Sequence, residues 1–285
     1  MNVLFCTDGS KISYSAIQNF SHWFDNFTVD ILCAVDWSML PDNVAVENSQ
    51  FAMQCANSAD SILDYSEKYL SESGINIGKK IKMCGAAVDC VLEASQSNKY
   101  DYIVLGSHGK KGIQKWLGSV SQEVAVSVDD SVYISKGRNY RRKLLFTIES
   151  AEISYSVVKR ALETFNFNDK DIQLSTVYEV PDYLFLEGNV NSDWIIDVDK
   201  KQENSAMLLL NEFEKMFTDK GLFVSKKMVL KGSPATQIIS YVDKEDIDLV
   251  ICGYRNRTHI AKFLISSVTK RVLENAKSDV LIIRP

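Results

Sequence analysis

The tightest constraint on the fold is that the chain carries one pattern twice. Ile12-Ser-Tyr-Ser15 returns as Ile153-Ser-Tyr-Ser156, a shift of 141 residues, and DYIVLG at 101–106 returns as DLVICG at 248–253, a shift of 147. Gly85-Ala-Ala87 is answered by Gly232-Ser-Pro234 at that same 147, and Ser119-Val120 by Ser267-Val268 at 148. Shifts that grow slowly along the chain mean a duplicated domain with small insertions, and a unit this long is a whole domain rather than a solenoid repeat. A length of 285 residues suits two domains, each able to bury its own core. The expected division is 1–137 and 143–285, with 138–142 as a solvated linker inside the basic stretch KGRNYRRK.

Within each copy, short apolar runs alternate with helical patterns. The first copy reads as strands at Asn2–Cys6, Thr28–Val35, Ile75–Met83, Asp101–Leu105 and Val132–Ser135. Between them fall helices over 11–26, 48–73 and 88–97. The second of these places Ile62, Tyr65 and Tyr69 on one face and is ended by Gly74. The second copy repeats the order with a strand from Lys143, a helix over 153–164, a strand at Ile172–Tyr178, a helix over 199–219 and a strand at Phe223–Leu230. Ser233-Pro234 then reads as an N-cap followed by proline at the first helical position. Such alternation predicts an α/β fold: two tandem doubly wound domains, each a parallel sheet with helices on both faces.

Composition excludes several classes of partner. Lys plus Arg number 32 against 37 Asp plus Glu, a net charge of -5, which gives no electrostatic drive toward nucleic acid or an anionic membrane. The start, MNVLFCTDGS, lacks the basic region and apolar core of a secretory leader, so the expected location is the cytoplasm. Six cysteines with no C-x-x-C pair read as reduced, buried thiols rather than a disulfide framework or a zinc site. No G-x-x-x-x-G-K-[ST] loop, H-E-x-x-H pair or nucleophile triad is visible, so neither a catalytic residue nor a metal ligand is assigned.

The stretch from Asp101 to Val128 carries the functional expectation. A buried strand ends at Gly106, glycines follow at Gly109 and Gly112, and Gly118-Ser119 opens a helical pattern with Val120, Val124 and Val128 on one side. Missing Cβ atoms at Gly106 and Gly109 would let backbone approach a ligand and take positive φ. Gly118, Ser119, Val120 and Ser121 would offer amides at the positive end of a helix dipole, with hydroxyls at Ser119 and Ser121 beside them. Strand, glycine loop and helix start in that order suit a phosphate. The competing reading of Gly118 and Ser119 is a plain turn and N-cap.

Taken together, these residues resemble the universal stress protein family over both copies. The carrying motif in its nucleotide-binding members is G-x-x-G, nine residues, then G-S or G-T, after a strand of the type seen at 101–106. The first copy has Gly106-Ser-His-Gly109 and Gly118-Ser119, with eight residues between. The resemblance implies sheet order 3-2-1-4-5 and an adenine nucleotide such as ATP as ligand. It further implies an acidic residue beside the adenosine at Asp8 and backbone contacts to the base at Ala34 or Val35. In the second copy Glu149 stands at the place of Asp8, Gly253 and Asn256 at the glycine pair, and Ser266-Ser267 at Gly-Ser, so weak or no binding is expected there.

The basic residues His108, Lys110, Lys111 and Lys115, and in the second copy Arg255, Arg257, His259 and Lys262, border the two loops and read mainly as solvated charges. Apolar residues after the second strands, Trp37, Met39, Leu40, Tyr183, Leu184, Phe185 and Trp194, are expected to cover their own cores. The resemblance also implies pairing of Val132–Ser135 with Val280–Ile283, making an intrachain pseudo-dimer. A solution mass from light scattering distinguishes that monomer from a homodimer. The leading expectation is a nucleotide-binding module in stress response or signalling. The alternatives are an interaction scaffold without nucleotide and a slow ATPase with Mg²⁺ on the phosphates.

Overall fold

The computed structural model describes residues 1–35, 49–109, 117–138, 142–180, 192–254 and 265–284. They gather into two units, the first within Met1–Gly137 and the second beginning at Arg138. In the first, strands β1 (Asn2–Cys6), β2 (Thr28–Val35), β3 (Asn76–Cys84), β4 (Tyr102–Gly106) and β5 (Ser131–Ser135) form a parallel sheet in the order β3-β2-β1-β4-β5. The central β1 pairs with β2 through Phe5 and Ile31 and with β4 through Phe5 and Val104. These are the near-continuous apolar runs that a strand covered on both faces requires: Val3, Leu4 and Phe5 have no exposed surface, nor have Tyr102, Ile103 and Val104.

Helices α1 (Lys11–Ser21), α2 (Ser49–Glu72), α3 (Ala87–Ser97) and α4 (Ser119–Ser127) complete this unit. Helix α1 stops five residues short of the expected Asn26. Asn26 takes the left-handed conformation at φ 53° and turns the chain into β2, which a continuing helix cannot do. Trp23 and Phe24 follow the helix end and are still fully buried. The ring of Phe20 stacks on Phe24 at 4.2 Å and meets Phe27, Tyr102 and Tyr133 edge-on, an aromatic core between α1 and the sheet. On α2 the buried line is Ala59, Leu63, Ser66 and Leu70. The expected Ile62-Tyr65-Tyr69 face lies one residue off that line, where Tyr65 and Tyr69 pack on Tyr14 of α1 at 5.4 and 5.1 Å.

The second unit repeats the plan with β6 (Lys143–Thr147), β7 (Asp171–Tyr178), β8 (Val224–Lys231), β9 (Leu249–Cys252) and β10 (Asp279–Ile282), in the order β8-β7-β6-β9-β10. Its helices are α5 (Ala151–Thr164), α6 (Ser192–Thr218), α7 (Pro234–Glu245) and α8 (Ser267–Asn275). Helix α6 begins seven residues before the expected start. Its first turns carry Trp194 and Ile196 half exposed, so no apolar stripe announces them. The buried stripe of Ala206, Leu210, Phe213 and Phe217 starts later. Trp194, 48% exposed, therefore does not cover the core as expected. The other apolar loop residues named above lie outside the described residues.

Both outer strands carry lysines held by helix carboxylates. On β3, Lys80 reaches Asp64 and Glu67 at 2.9 and 2.6 Å, and Lys82 reaches Asp60 at 2.7 Å. On β8, Lys226 pairs with Glu245, Lys227 with Glu214, and Lys231 with Asp199. Charged outer strands of this kind discourage a foreign strand from adding to the sheet.

Beside them, Asp30 accepts the Lys79 amide at 2.7 Å and the Tyr100 hydroxyl at 2.9 Å, where the β2–β3 register shifts. A Cβ on Gly78 would stand 2.2 Å from Asp30 Oδ1. Gly78→Ala is therefore expected to lower the stability of the first unit by about 1–3 kcal/mol in urea denaturation, through displacement of that carboxylate from its two donors.

Candidate functional site: the crevices at the ends of the central strands

Where a doubly wound sheet reverses its strand order, the loops leaving the two central strands diverge and leave a crevice at their carboxyl ends. In the first unit these strands are β1 and β4. The main chain beyond β1 is tied by a buried hydroxyl cluster: Thr7 Oγ1 and Ser13 Oγ lie 2.8 Å apart, the Gly9 amide donates to Thr7 Oγ1 at 3.0 Å, and Ser13 Oγ donates to the Ser10 carbonyl at 2.8 Å. Ser10 caps α1, accepting the Ser13 amide. Asp8 stands exposed at the mouth, and its Oδ1 accepts the Ser10 amide at 3.0 Å. That is an Asx-turn, the structural role which competes with ligand binding at this position.

From the β4 side, Gly109 comes up against Asp8: a Cβ on Gly109 would lie 2.6 Å from Asp8 Oδ2. The two residues singled out from opposite ends of the first copy thus meet. The other glycines act differently from expectation. Gly106 makes room for α1, since its Cβ would lie 3.0 Å from Ile12 Cγ2 and 3.1 Å from the Ser13 amide nitrogen. Gly253 repeats this against Ile153 Cγ2 at 2.9 Å, which gives the twice-occurring Ile-Ser-Tyr-Ser a packing reason. Gly106 and Gly109 lack the positive φ expected of them, whereas Gly9 has it at 73°.

Ser107, 3% exposed, closes the loop. Its amide donates to the Ser135 carbonyl at 2.8 Å, and its own carbonyl accepts the Gly118 amide at 2.6 Å. The Gly118 donor is thus committed within the protein, and so is the Ser121 hydroxyl, which donates to the Gly106 carbonyl at 2.6 Å. Both had been expected to face a ligand. The bond from Ser121 instead ties the start of α4 to the end of β4. The amides of Ser119, Val120 and Ser121 belong to the first helical turn, which has no intrahelical acceptor. Gly118 at the N-cap has no side chain to supply one. Ser119 is exposed, and His108 rests its Nδ1 3.1 Å from Ser107 Oγ.

At the end of β2 the two expected positions separate. The Val35 carbonyl accepts the Gly85 amide at 3.0 Å, on the side of β3. The Leu32 carbonyl accepts the Thr7 amide at 2.9 Å, on the side of β1. Peptide groups of alternate residues along a strand point to the same side, so Ala34 directs its peptide groups toward β1, past that strand's end and into the crevice.

The second unit closes the corresponding helix start from within. Ser266 is the N-cap of α8, and its Oγ accepts the Thr269 amide at 3.0 Å. The Thr269 hydroxyl reaches the Gly253 carbonyl at 3.2 Å, the counterpart of Ser121 on Gly106. Of the three first-turn amides, one is therefore occupied in the second unit that Gly118 leaves uncapped in the first. Ser267 is exposed, and the exposed Glu149 donates its amide to Ser154 Oγ at 3.0 Å. Asn256 lies outside the described residues, as do Lys110, Lys111, Lys115, Arg255, Arg257, His259 and Lys262. Ser266→Ala is expected to lower the stability of the second unit by about 1 kcal/mol in urea, the usual loss of a serine cap.

Sequence reasoning passed over Thr7, Ser13 and Ser107, which shape the first crevice. Ser13 was detectable, because it belongs to the repeated tetrapeptide. Among the described residues no group of three or more His, Cys, Asp or Glu side chains could hold a metal ion, and no helix is long and apolar enough to cross a membrane. Burial pushes the Cys252 thiol up to about 12, so it is not a ready thiolate.

Fold and crevices define a tandem α/β protein in which two doubly wound domains each present a loop and a helix start at the switch point. The model of the universal stress protein family matches residues 1–136 and again 141–284, and the chain belongs to that family. It is 25% identical over 151 residues to the universal stress protein MJ0531 of Methanocaldococcus jannaschii, covering 53% of this chain and 86% of that protein. It is 21% identical to the universal stress protein Slr1230 of Synechocystis, which aligns over 99% of both chains. A crystal structure of a universal stress protein from Archaeoglobus fulgidus superposes with a TM-score of 0.68 at 16% identity, covering 99% of this chain and 96% of that one. That likeness supports the tandem α/β fold.

Proposed function

We propose that the chain is an adenine-nucleotide-binding module that acts in the cytoplasm in stress response or signalling, and that it binds ATP or a related nucleotide in the first unit. The observation that carries this reading is the uncapped start of α4, with the first-turn amides of Ser119, Val120 and Ser121 facing no side-chain acceptor from Gly118. A phosphate is the natural acceptor there. Gly109, without a Cβ, lets the loop stand against Asp8. The carboxylate of Asp8 then takes a ribose hydroxyl or the adenine amine, and the peptide groups of Ala34 read the base edge.

The second unit binds nucleotide weakly or not at all, because Ser266 supplies the acceptor that a phosphate would otherwise provide. On this reading the module senses or carries its ligand rather than turning it over, because the one hydroxyl found beside a histidine among the described residues of the first crevice, Ser107 against His108, is buried. Calorimetric titration with ATP, ADP and AMP tests the binding: one saturable site per chain is expected, and no heat with any of the three would refute it. A radiolabelled-phosphate release assay on the same samples is expected to stay at background.

A further inference from the structure

The turn after β1, which carries Asp8, is tied to helix α2 by side-chain hydroxyls. Tyr14 on α1 and Ser66 on α2 stand with their oxygens 3.0 Å apart, and the Thr7 hydroxyl also lies within hydrogen-bonding reach of the Tyr14 phenol. Each hydroxyl has one hydrogen to give. Ser66 gives its own to the Ile62 carbonyl at 2.7 Å, so the bond between Tyr14 and Ser66 has Tyr14 as its donor. Burial holds the Tyr14 phenol above its ordinary range, which keeps that proton in place at neutral pH. Thr7 accepts the Gly9 amide at 3.0 Å, and its hydrogen has two acceptors, Tyr14 and Ser13, because Ser13 donates its own to the Ser10 carbonyl. Donated to Tyr14, it completes a head-to-tail series that runs from the Gly9 amide through Thr7, Tyr14 and Ser66 to the Ile62 carbonyl. Bonds in such a series polarise one another in the same direction.

The fold does not require these hydroxyls. At the repeat shift of 141 the second unit has Ile148 in the place of Thr7 and Tyr155 in that of Tyr14, and at 147 it has Phe213 in the place of Ser66. Ile148 and Phe213 are buried as their counterparts are, whereas Tyr155 is 56% exposed. What the hydroxyls add in the first unit is the setting of the turn. Gly9 takes φ 73° with its amide on the Thr7 oxygen, and Asp8, between the two, accepts the Ser10 amide. The unit with the uncapped helix start thus also has the tied turn, and the unit capped by Ser266 has neither.

We propose that Tyr14 and Ser66 are positioning residues for the ligand of the first crevice. Acting through Thr7, they hold the turn at the setting that presents Asp8 and make α2 part of the ligand's support. The inference rests on the nucleotide reading of that crevice.

The test uses the full chain with Tyr14→Phe, Ser66→Ala and both together. The Tyr14 ring packs on Phe5, Tyr65 and Tyr69, so Tyr14→Phe removes the hydroxyl and leaves the packing. Amide hydrogen exchange of the ligand-free chain, followed by NMR, is expected to quicken at Gly9 by roughly fivefold to tenfold in each variant, the effect of one modest hydrogen bond. Calorimetric titration is expected to show ATP bound more weakly by a similar factor, with the double variant no weaker than either single one, because both break one series. Thr7→Val is expected to match them and Thr7→Ser to keep wild-type values, while Tyr155→Phe in the second unit moves neither readout. Unchanged exchange at Gly9, additive losses in the double variant, or unchanged affinity in a chain whose wild type binds ATP overturns the proposal. If the wild type ignores ATP but exchange at Gly9 quickens in the variants, the tied turn stands and the nucleotide reading alone is refuted.

Discussion

Gly109→Val is expected to weaken ATP binding by about 100-fold, or ~2.7 kcal/mol, while the protein keeps its fold. The cause is local. A Cβ at this position would lie 2.6 Å from Asp8 Oδ2, closer than any real contact, so either the loop or the carboxylate must move. Movement of the loop takes the start of α4 with it, because the Gly118 amide is bonded to the Ser107 carbonyl two residues before Gly109. Movement of Asp8 breaks the turn at Ser10 and removes the acceptor proposed for the ribose or base. Gly109 is exposed, so neither movement empties the core. Isothermal titration gives the affinity, and a thermal melt on the same sample checks the fold. An unchanged affinity would mean that phosphate does not lie against this loop.

The second large effect concerns stability. Phe20→Ala is expected to destabilise the first unit by about 3–5 kcal/mol, the range for removing a buried phenylalanine ring. Phe20 has no exposed surface and lies at the meeting point of Phe24 and Phe27, from the connection between α1 and β2, and of Tyr102 on β4 and Tyr133 on β5. Large neighbours on several elements cannot collapse together into the gap, so the cavity persists. In the second unit the repeat shift puts Ala161, also buried, at this place. Urea denaturation followed by circular dichroism measures the loss, and a change below about 1 kcal/mol would contradict the packing account.

Much of this architecture was legible before any coordinates, for a physical reason. Strands buried on both faces have to be apolar throughout, so the duplicated runs pointed to two parallel sheets, and their strand order came from the family resemblance. The meeting of Asp8 and Gly109 followed from the strand order that the family resemblance implied. What escaped was contact chemistry that periodicity does not encode. Gly106 reads as a ligand-approach glycine until Ile12 is seen against it. Ser121 reads as a donor to phosphate until its hydroxyl is found on the Gly106 carbonyl. Ser266 reads only as a replacement for the glycine of Gly-Ser, yet its hydroxyl takes the Thr269 amide. The early start of α6 escaped because exposed Trp194 and Ile196 mimic loop residues.

The central claim is that a helix start left uncapped by glycine receives a phosphate, whereas one capped by serine does not. It is tested most directly by amide NMR of the full chain during an ATP titration. The account predicts large, saturable shifts at Ser119, Val120 and Ser121, with Ser267, Val268 and Thr269 undisturbed. Shifts of equal size at both helix starts, or none at the first, would contradict it.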